Sequence, residues 1–163
     1  MQDKEQIQAL ISELYALVSG PGDKQRDWAR EAELFMPQAH MIRTIVDKAG
    51  RTAPEIIRAA DYAENFERKM AGRDFFEVEI HNIIEVFGNI AHAFSTYEAY
   101  EDAEGTRFLK RGINSIQFYR VDGEWKIAGM VWDDERPGLS IGSGYLPRQP
   151  KVPKSSFFPE GDR

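Results

Sequence analysis

The sequence predicts an α+β fold in which helices come first and a meander of antiparallel strands follows. Apolar residues recur at helical spacing before Gly72 and alternate with polar residues after it, which are the periods of an amphipathic helix and a half-buried strand. Helices that precede a run of hairpins cover one face of the resulting sheet. The predicted strands are 11 to 16 residues long, so the sheet must twist and curl into a concave surface.

The first two helices are predicted from apolar spacing and from their end signals. Helix one ends at Gly20-Pro21-Gly22 and carries an apolar stripe of Ile7, Leu10, Ile11, Leu14, Leu17 and Val18. Helix two begins near Asp23 to Asp27, because acidic residues favour a helix N-terminus, and it ends before Pro37. Its inward face holds Trp28, Ala32 and Phe35. Residues 39–47 then form an extended segment.

A third helix is predicted to begin at Thr52-Ala53-Pro54-Glu55. A Thr cap, Pro in the first turn and Glu three residues after the cap are typical of a helix start. This helix ends at Ala71-Gly72, and its inward residues are Ile56, Ala60, Ala63, Phe66 and Met70.

Four strands follow the helices. Turn signals at Gly88-Asn89, Glu104-Gly105 and Asp122-Gly123 separate them. The predicted strands span about 74–87, 90–102, 106–121 and 124–134.

Composition limits the size, the partners and the chemistry. The 163 residues suit one domain, and a net charge of −6 argues against nucleic acid and anionic membranes as partners. The absence of cysteine excludes disulfides, thiolate nucleophiles and Cys-type zinc sites, and it favours a cytoplasmic location. The N-terminal segment mixes charges into a helical pattern, so it is predicted to be neither a signal peptide nor a membrane span. Widely spaced His40, His81 and His92 predict no metal site.

The C-terminal segment differs from the rest of the chain. Residues 136–163 hold five of the eight prolines and a net charge of +3, whereas residues 1–135 carry −9. We therefore divide the chain into a domain at 1–135 and a Pro-rich extended tail at 136–163. The tail is either a disordered end or a strap across the sheet or a partner subunit, anchored by Tyr145, Leu146, Phe157 and Phe158.

Three segments carry a resemblance to a known family: Asp27-Trp28 at a helix start, Phe87-Gly88-Asn89-Ile90-Ala91-His92, and the hairpin Asp122 to Gly129. With the order of elements, they resemble the NTF2-like superfamily in its SnoaL-like bacterial branch, over about residues 5–135. The resemblance implies a cone-shaped pocket under the curved sheet and commonly a homodimer. It does not imply one activity, because this fold serves isomerases, dehydratases and binding modules.

Two enzyme families of this fold can be compared by residue. Against ketosteroid isomerases, Tyr15 matches the oxyanion-hole tyrosine, but the general-base position falls near Arg43. Against scytalone dehydratases, Asn114 matches a pocket asparagine and His81 a catalytic histidine, while the aspartate partner of that histidine falls near Lys24. The dehydratase resemblance is incomplete, yet it is better supported than the isomerase one.

Three residues are candidates for catalysis. His81 either faces solvent with Glu77 and Glu79 or is turned into the pocket by a bulge after it; imidazole there would exchange a proton near neutral pH. Asp134 is either part of a solvated strand end or, on a strand face shared with Met130 and Trp132, a carboxylate whose pKa apolar shielding would raise. Tyr15 is either a core tyrosine with a satisfied hydroxyl or an oxyanion donor.

Six further residues are predicted to line the pocket, and two of them, Asn114 and Arg43, also have a purely structural interpretation. Asn114 lies mid-strand among apolar residues, and a buried amide needs a hydrogen-bond partner in the protein or in a ligand. Arg43 either clamps a carboxylate or pairs with an acidic residue of the chain. Aromatic residues Trp28, Phe35, Tyr97 and Trp132 complete the set.

The sequence thus leaves two functional hypotheses open. The first is a cofactor-free acid/base lyase or isomerase acting on a small apolar or aromatic molecule, with His81 or Asp134 moving the proton and with Tyr15 and Asn114 holding an oxyanion. The second is a non-catalytic ligand-binding or assembly module, in which these polar groups satisfy one another. In both, the chain is expected to be a homodimer.

Overall fold

The computed structural model describes residues 2–148, which contain three α-helices and six strands. The helices are α1 (Gln2–Val18), α2 (Trp28–Glu33) and α3 (Tyr62–Met70). The strands are β1 (Phe35–Val46), β2 (Thr52–Arg58), β3 (Phe76–Phe87), β4 (Ile90–Tyr100), β5 (Phe108–Val121) and β6 (Glu124–Asp134).

All six strands belong to one sheet with the order β2-β1-β6-β5-β4-β3. The four strands of the C-terminal meander agree with the sequence prediction, and each pairs antiparallel with its neighbour in the chain. Strand β1 adds to β6 in parallel, which makes the sheet mixed. Irregular register at the β3–β4 and β5–β6 pairs increases the twist locally. The α+β class is confirmed.

The prediction of a helix at Thr52 is wrong, because Thr52–Arg58 forms strand β2. The carboxylate of Asp47 accepts hydrogen bonds from the backbone N–H groups of Ala49 and Arg51, at 2.8 and 2.9 Å, and so closes a turn that returns the chain along β1. Pro54 is tolerated because β2 is an edge strand. Helix α3 begins only at Tyr62, so the three helices do not all precede the sheet.

Helix α2 is shorter than its apolar spacing predicts. Asp27 caps it by accepting a hydrogen bond from the Arg30 N–H at 3.0 Å. The helix ends at Glu33, and Phe35 already pairs with Ile127 of β6 as part of β1. Phe35 is therefore a core residue of the sheet and not a member of the helix face.

The core lies between α1 and the concave face of the sheet. Ile7, Ile11 and Leu14 of α1 are buried there. A smaller cluster of Val18, Phe66, Phe75 and Ala99 extends the core beneath α3. No helix among the described residues is long and apolar enough to span a membrane.

Residues 136–148 lie along the opposite, outer face of the sheet. The Tyr145 ring meets the Phe94 ring edge to face at a centroid distance of 5.2 Å, and its carbonyl accepts a hydrogen bond from Thr96 Oγ1 at 2.7 Å. Glu135 Oε1 accepts a hydrogen bond from the Ile141 N–H at 2.9 Å. Of the other predicted tail anchors, Leu146 is half-buried, and Phe157 and Phe158 lie outside the described residues.

Candidate functional site

A cavity of about 310 Å³ lies between the concave face of the sheet, α1 and α3. Its volume is at the lower end of the range of small-molecule sites in proteins. Its walls are mostly apolar, with Leu14, Val18, Met41, Ile57, Tyr62, Phe66, Met70, Phe75, Leu109, Met130 and Trp132 among the lining residues.

On the concave face of the sheet, two neighbouring rows of directly paired residues run across all six strands, and the two rows differ in polarity. One row is entirely apolar, and all of its members are buried: Ile84, Ala93, Ile116, Met130, Met41 and Ile57. The next row, called the polar row below, consists of Asn82, Ser95, Asn114, Trp132, Arg43 and Glu55. Since directly paired residues share a face, the polar row faces the concave side, where Asn114, Trp132 and Arg43 line the cavity.

Glu77 is the one carboxyl side chain among the residues that line the cavity. Burial raises the pKa of Glu77 to about 7; the Asp134 charge acts in the same direction, while Lys110 and the Asn114 amide favour the ionised form. A carboxyl group with this pKa gives and accepts protons near neutral pH. The sequence pattern did not predict Glu77 as a cavity residue, because it grouped Glu77 and Glu79 on the solvent side of this strand.

A directional hydrogen-bond chain fixes Asn114 beside Glu77. Asn114 Nδ2 donates to Tyr15 Oη at 2.9 Å, and Tyr15 Oη lies 2.8 Å from Ser95 Oγ. Ser95 gives its own proton to a Glu79 carboxylate oxygen, so Tyr15 must donate to Ser95. The only Tyr15 proton therefore points away from the cavity, and Tyr15 positions Asn114 instead of acting as the expected oxyanion donor.

Glu79 is itself held in place at the end of this chain. The Gln8 and Asn82 amide groups each donate a hydrogen bond of 2.8 Å to Glu79 Oε1. Helix α1 and strands β3, β4 and β5 thus all contribute to the orientation of one amide. Burial raises the pKa of Tyr15 far above its ordinary value, so its hydroxyl stays protonated.

A second polar group joins Tyr97, Asp134 and Lys110. Tyr97 Oη donates to Asp134 Oδ1, and Lys110 Nζ donates to Asp134 Oδ2 at 3.3 Å. Burial, and then the charges of Glu77 and Asp134, raise the pKa of Tyr97 well above its usual range. Gly112 makes room for this contact, because a Cβ there would lie 2.4 Å from Asp134 Oδ1 and 2.6 Å from Tyr97 Oη.

Arg43 and Lys69 approach the cavity from the opposite side, and Glu55 pairs with both. Arg43 Nη2 lies 2.8 Å from Glu55 Oε2, and Lys69 Nζ also bonds the Glu55 carboxylate. Asn65 Nδ2 donates to Glu55 Oε1 at 3.2 Å. Arg43 thus has the internal ion pair that was the alternative to a ligand clamp.

His81 does not reach the cavity. Ile80 is an extra residue in the β3–β4 pairing, and after it His81 pairs with Thr96, whose side chain bonds the tail on the outer face. The bulge thus works opposite to the prediction: it turns His81 outward, while Glu77 and Glu79 face inward. The prediction that a bulge turns His81 into the pocket is therefore wrong.

The other predicted residues divide into those at the cavity and those behind it. Arg43, Tyr97, Asn114 and Trp132 line it. Tyr15 and Asp134 connect to it through Asn114 and Tyr97. Trp28 and Phe35 are not lining residues: the Trp28 ring packs against Phe66 at 5.2 Å, and Phe35 is in the core. Among residues 2–148, no three His, Cys, Asp or Glu side chains form a group that could hold a metal ion.

Comparison with known proteins identifies the fold. No family model matches the sequence, and no curated protein does. An NTF2-like protein with a cystatin-like fold from Novosphingobium aromaticivorans has a TM-score of 0.60 and 18% identity, with 80% of each chain covered. A protein of unknown function with a cystatin-like fold from Nostoc punctiforme has a TM-score of 0.65 and 13% identity, covering 82% of this chain and 92% of that one.

One similar structure is a named enzyme. Hexachlorocyclohexane dehydrochlorinase LinA-type3 from Novosphingobium barchaimii matches with a TM-score of 0.62 and 16% identity, covering 91% of this chain and 96% of that one. Identities at this level establish a common fold and leave the activity open. The predicted fold is confirmed, and the SnoaL-like branch stays a prediction.

Proposed function

Since the chain has the NTF2-like fold, we propose that its cavity binds a small, mainly apolar or aromatic molecule and that Glu77 transfers a proton to or from it. The reaction would be an acid/base elimination or isomerisation that needs no cofactor. The observation that carries this proposal is the Glu77 carboxyl inside an apolar-walled cavity, where burial raises its pKa to about 7. Near this pKa the group is active both as a base and as an acid.

The neighbours of Glu77 support these roles. The amide of Asn114 and the ammonium group of Lys110 stabilise the ionised carboxylate, and Lys110 also supplies positive charge for an anion that develops on the substrate. In this proposal Glu77 replaces His81 as the proton-transferring residue. Asp134 contributes indirectly, by holding Tyr97 and Lys110.

The similarity to a dehydrochlorinase supports the elimination form of this chemistry. In a base-promoted elimination a base takes a proton from one carbon, the C–H electrons form a double bond to the neighbouring carbon, and that carbon releases its leaving group as an anion. Glu77 would be the base for a molecule bound in this cavity. The identity of 16% carries over no residue roles.

A binding screen followed by proton exchange tests the proposal. Apolar and aromatic compounds are screened by thermal shift at pH 7, where a ligand at about 100 times its Kd adds about 2.7 kcal/mol of stability. Each ligand found is then incubated with the protein in D₂O, and deuterium incorporation at its C–H positions is measured by NMR. We expect incorporation with wild type and with the exposed-site control Glu64→Gln, and none with Glu77→Gln, which should still bind.

The competing function is a non-catalytic ligand-binding module. The hydrogen-bond chain from Asn114 to Glu79 supports it, because these groups already satisfy one another without a ligand. Binding that depends on Asn114 but gives no deuterium incorporation with wild type would favour this function. His81→Ala should change neither binding nor exchange, since His81 faces the other side of the sheet.

We also propose that the chain forms a homodimer through the outer face of the sheet. Ile83, Phe94 and Val131 of this face are 39%, 36% and 44% exposed, which is unusual for neighbouring apolar side chains on a sheet. Light scattering after size exclusion should give a dimer for wild type and for Ala29→Glu, a change on helix α2. Val131→Glu should give a monomer, and an unchanged dimer would contradict the proposed interface.

A further inference from the structure

The charged residues that line the cavity are mostly cations. Arg43, Lys69, Arg73 and Lys110 line it, against the single carboxyl group of Glu77. We propose that the ligand is itself a carboxylic acid, whose carboxylate binds beside Arg43 and Lys69 while its apolar body occupies the rest of the cavity. This inference rests on the proposed function, because it names the substrate class of the same site.

The positive charge near Arg43 is not cancelled by the protein. Arg73 pairs with Glu101 at 3.2 Å and Lys110 with Asp134 at 3.3 Å, one carboxylate for each cation. Arg43 and Lys69 share a single carboxylate, Glu55, whose pKa lies below its usual value chiefly because of its hydrogen bond with Lys69. This group of three therefore carries one net positive charge, which an anionic ligand would neutralise.

The Arg43 guanidinium group has an accessible surface as well as its contact with Glu55. Its Nη2 atom is 2.8 Å from Glu55, and the side chain, 34% exposed, lines the cavity. A guanidinium group carries five N–H donors and binds carboxylates with well-defined geometry. A carboxylate inside the cavity can therefore bind the accessible part of this group.

The surroundings of Arg43 place the apolar body of the ligand. On the same strand Met41 belongs to the apolar row, and Met130 and Ile57 flank it on the neighbouring strands. Trp132 pairs with Arg43 across β1 and β6 and lines the same cavity. A carboxylate at Arg43 therefore continues directly into an apolar region.

The same arrangement separates the carboxylate from Glu77. Arg43 is on β1 and Glu77 is on β3, and strands β6, β5 and β4 lie between them in the sheet. The two acidic groups thus meet the cavity from opposite sides. The reacting carbon of the ligand would be at the end remote from its carboxylate.

A pair of probes that differ in charge tests the inference. The affinities of 3-phenylpropanoate and of its neutral analogue 3-phenylpropanamide are measured by titration calorimetry at pH 7. For wild type we expect the acid to bind at least tenfold more tightly than the amide. Arg43→Gln should weaken the acid at least tenfold and the amide less than twofold. The control Arg58→Gln, an exposed change on the adjacent strand, should alter neither affinity.

The outcomes separate this inference from the proposed function. Equal affinities, or tighter binding of the amide, would overturn the inference that the ligand is a carboxylic acid. The proposal that the cavity binds a mainly apolar molecule would be unaffected. Binding of neither probe at millimolar concentration would contradict the cavity function, and the acidic ligand with it. If Arg43→Gln does not fold, as judged by circular dichroism, Lys69→Gln gives the same comparison, because it also removes one of the two cations that share Glu55.

Discussion

Glu77 and His81 are four residues apart on β3 and face opposite sides of the sheet. Regular alternation would place residues i and i+4 on the same side, but the extra residue Ile80 reverses the pattern after Glu79. The bulge keeps Glu77 and Glu79 inside, where Glu77 lines the cavity and Glu79 accepts a hydrogen bond from the Ser95 hydroxyl, and it leaves His81 opposite Thr96. One inserted residue thus decides which titratable group of this strand meets a ligand.

Glu77→Gln should change how stability depends on pH. Because burial raises the folded-state pKa of Glu77 to about 7 from 4.5, the folded protein binds more protons than the unfolded chain between these values. Stability therefore falls as pH rises through this window and is level above it. Urea unfolding at pH 5 and pH 8 gives the free energy of unfolding of the variant and of wild type. We expect the difference between them to shift in favour of the variant at pH 8. An equal difference at both pH values would contradict a protonated Glu77 in the folded state.

Glu31→Gln should stabilise the protein increasingly as pH rises through the same window, although Glu31 is outside the cavity. Glu31 is 1% exposed, its Oε1 has no hydrogen-bond partner, and burial raises its pKa to about 7. We expect a gain of roughly 1–3 kcal/mol at pH 8 and a smaller one at pH 5. Glu5→Gln, on the exposed face of α1, is the matched control and should change stability little. A loss of stability would show that the carboxylate is ionised and paired in the folded state.

Gly112→Ala should displace the Tyr97–Asp134 pair. The new Cβ would lie 2.4 Å from Asp134 Oδ1, and overpacking of this kind costs about 1–3 kcal/mol. Gly144→Ala, where a Cβ would meet no atom within 4 Å, is the control. Thermal unfolding measures the difference, and equal melting temperatures for the two variants would show that Asp134 moves without penalty.

Tyr15→Phe should break the chain that orients Asn114. Loss of the hydroxyl leaves Asn114 Nδ2 and Ser95 Oγ each short of one partner, which costs about 1–3 kcal/mol in a buried site. Tyr119→Phe removes an exposed hydroxyl and should have little effect. In a double-mutant cycle, the losses in unfolding free energy caused by Tyr15→Phe and Asn114→Ala should not be additive, because both substitutions remove the same contact. Additive losses would mean that the two residues act independently.

The sequence determines the four-strand meander well, because the turns at Gly88, Gly105 and Gly123 place glycines where φ is positive. It misleads at Thr52, where a capping pattern competes with the Asp47 turn, and only tertiary pairing with β1 decides between helix and strand. The cavity was predicted through Arg43, Tyr97, Asn114 and Trp132. Glu77 was not predicted, because the alternation of apolar and polar residues along a strand does not show where a bulge lies. In addition, apolar Val78 is on the outer face and 46% exposed, whereas the alternation pattern places apolar side chains inside.

The parallel pairing of β1 with β6 also has a consequence for folding. Arg43 and Trp132 are neighbours in the sheet although 88 residues of chain lie between them, and contacts of such long sequence separation form slowly. During synthesis the β1–β2 hairpin emerges early and keeps one strand edge open until the last strand has left the ribosome. The cavity wall between Arg43 and Asn114 is therefore completed only when β6 has formed, and until then the open edges of β1 and β5 can pair with another copy of the chain.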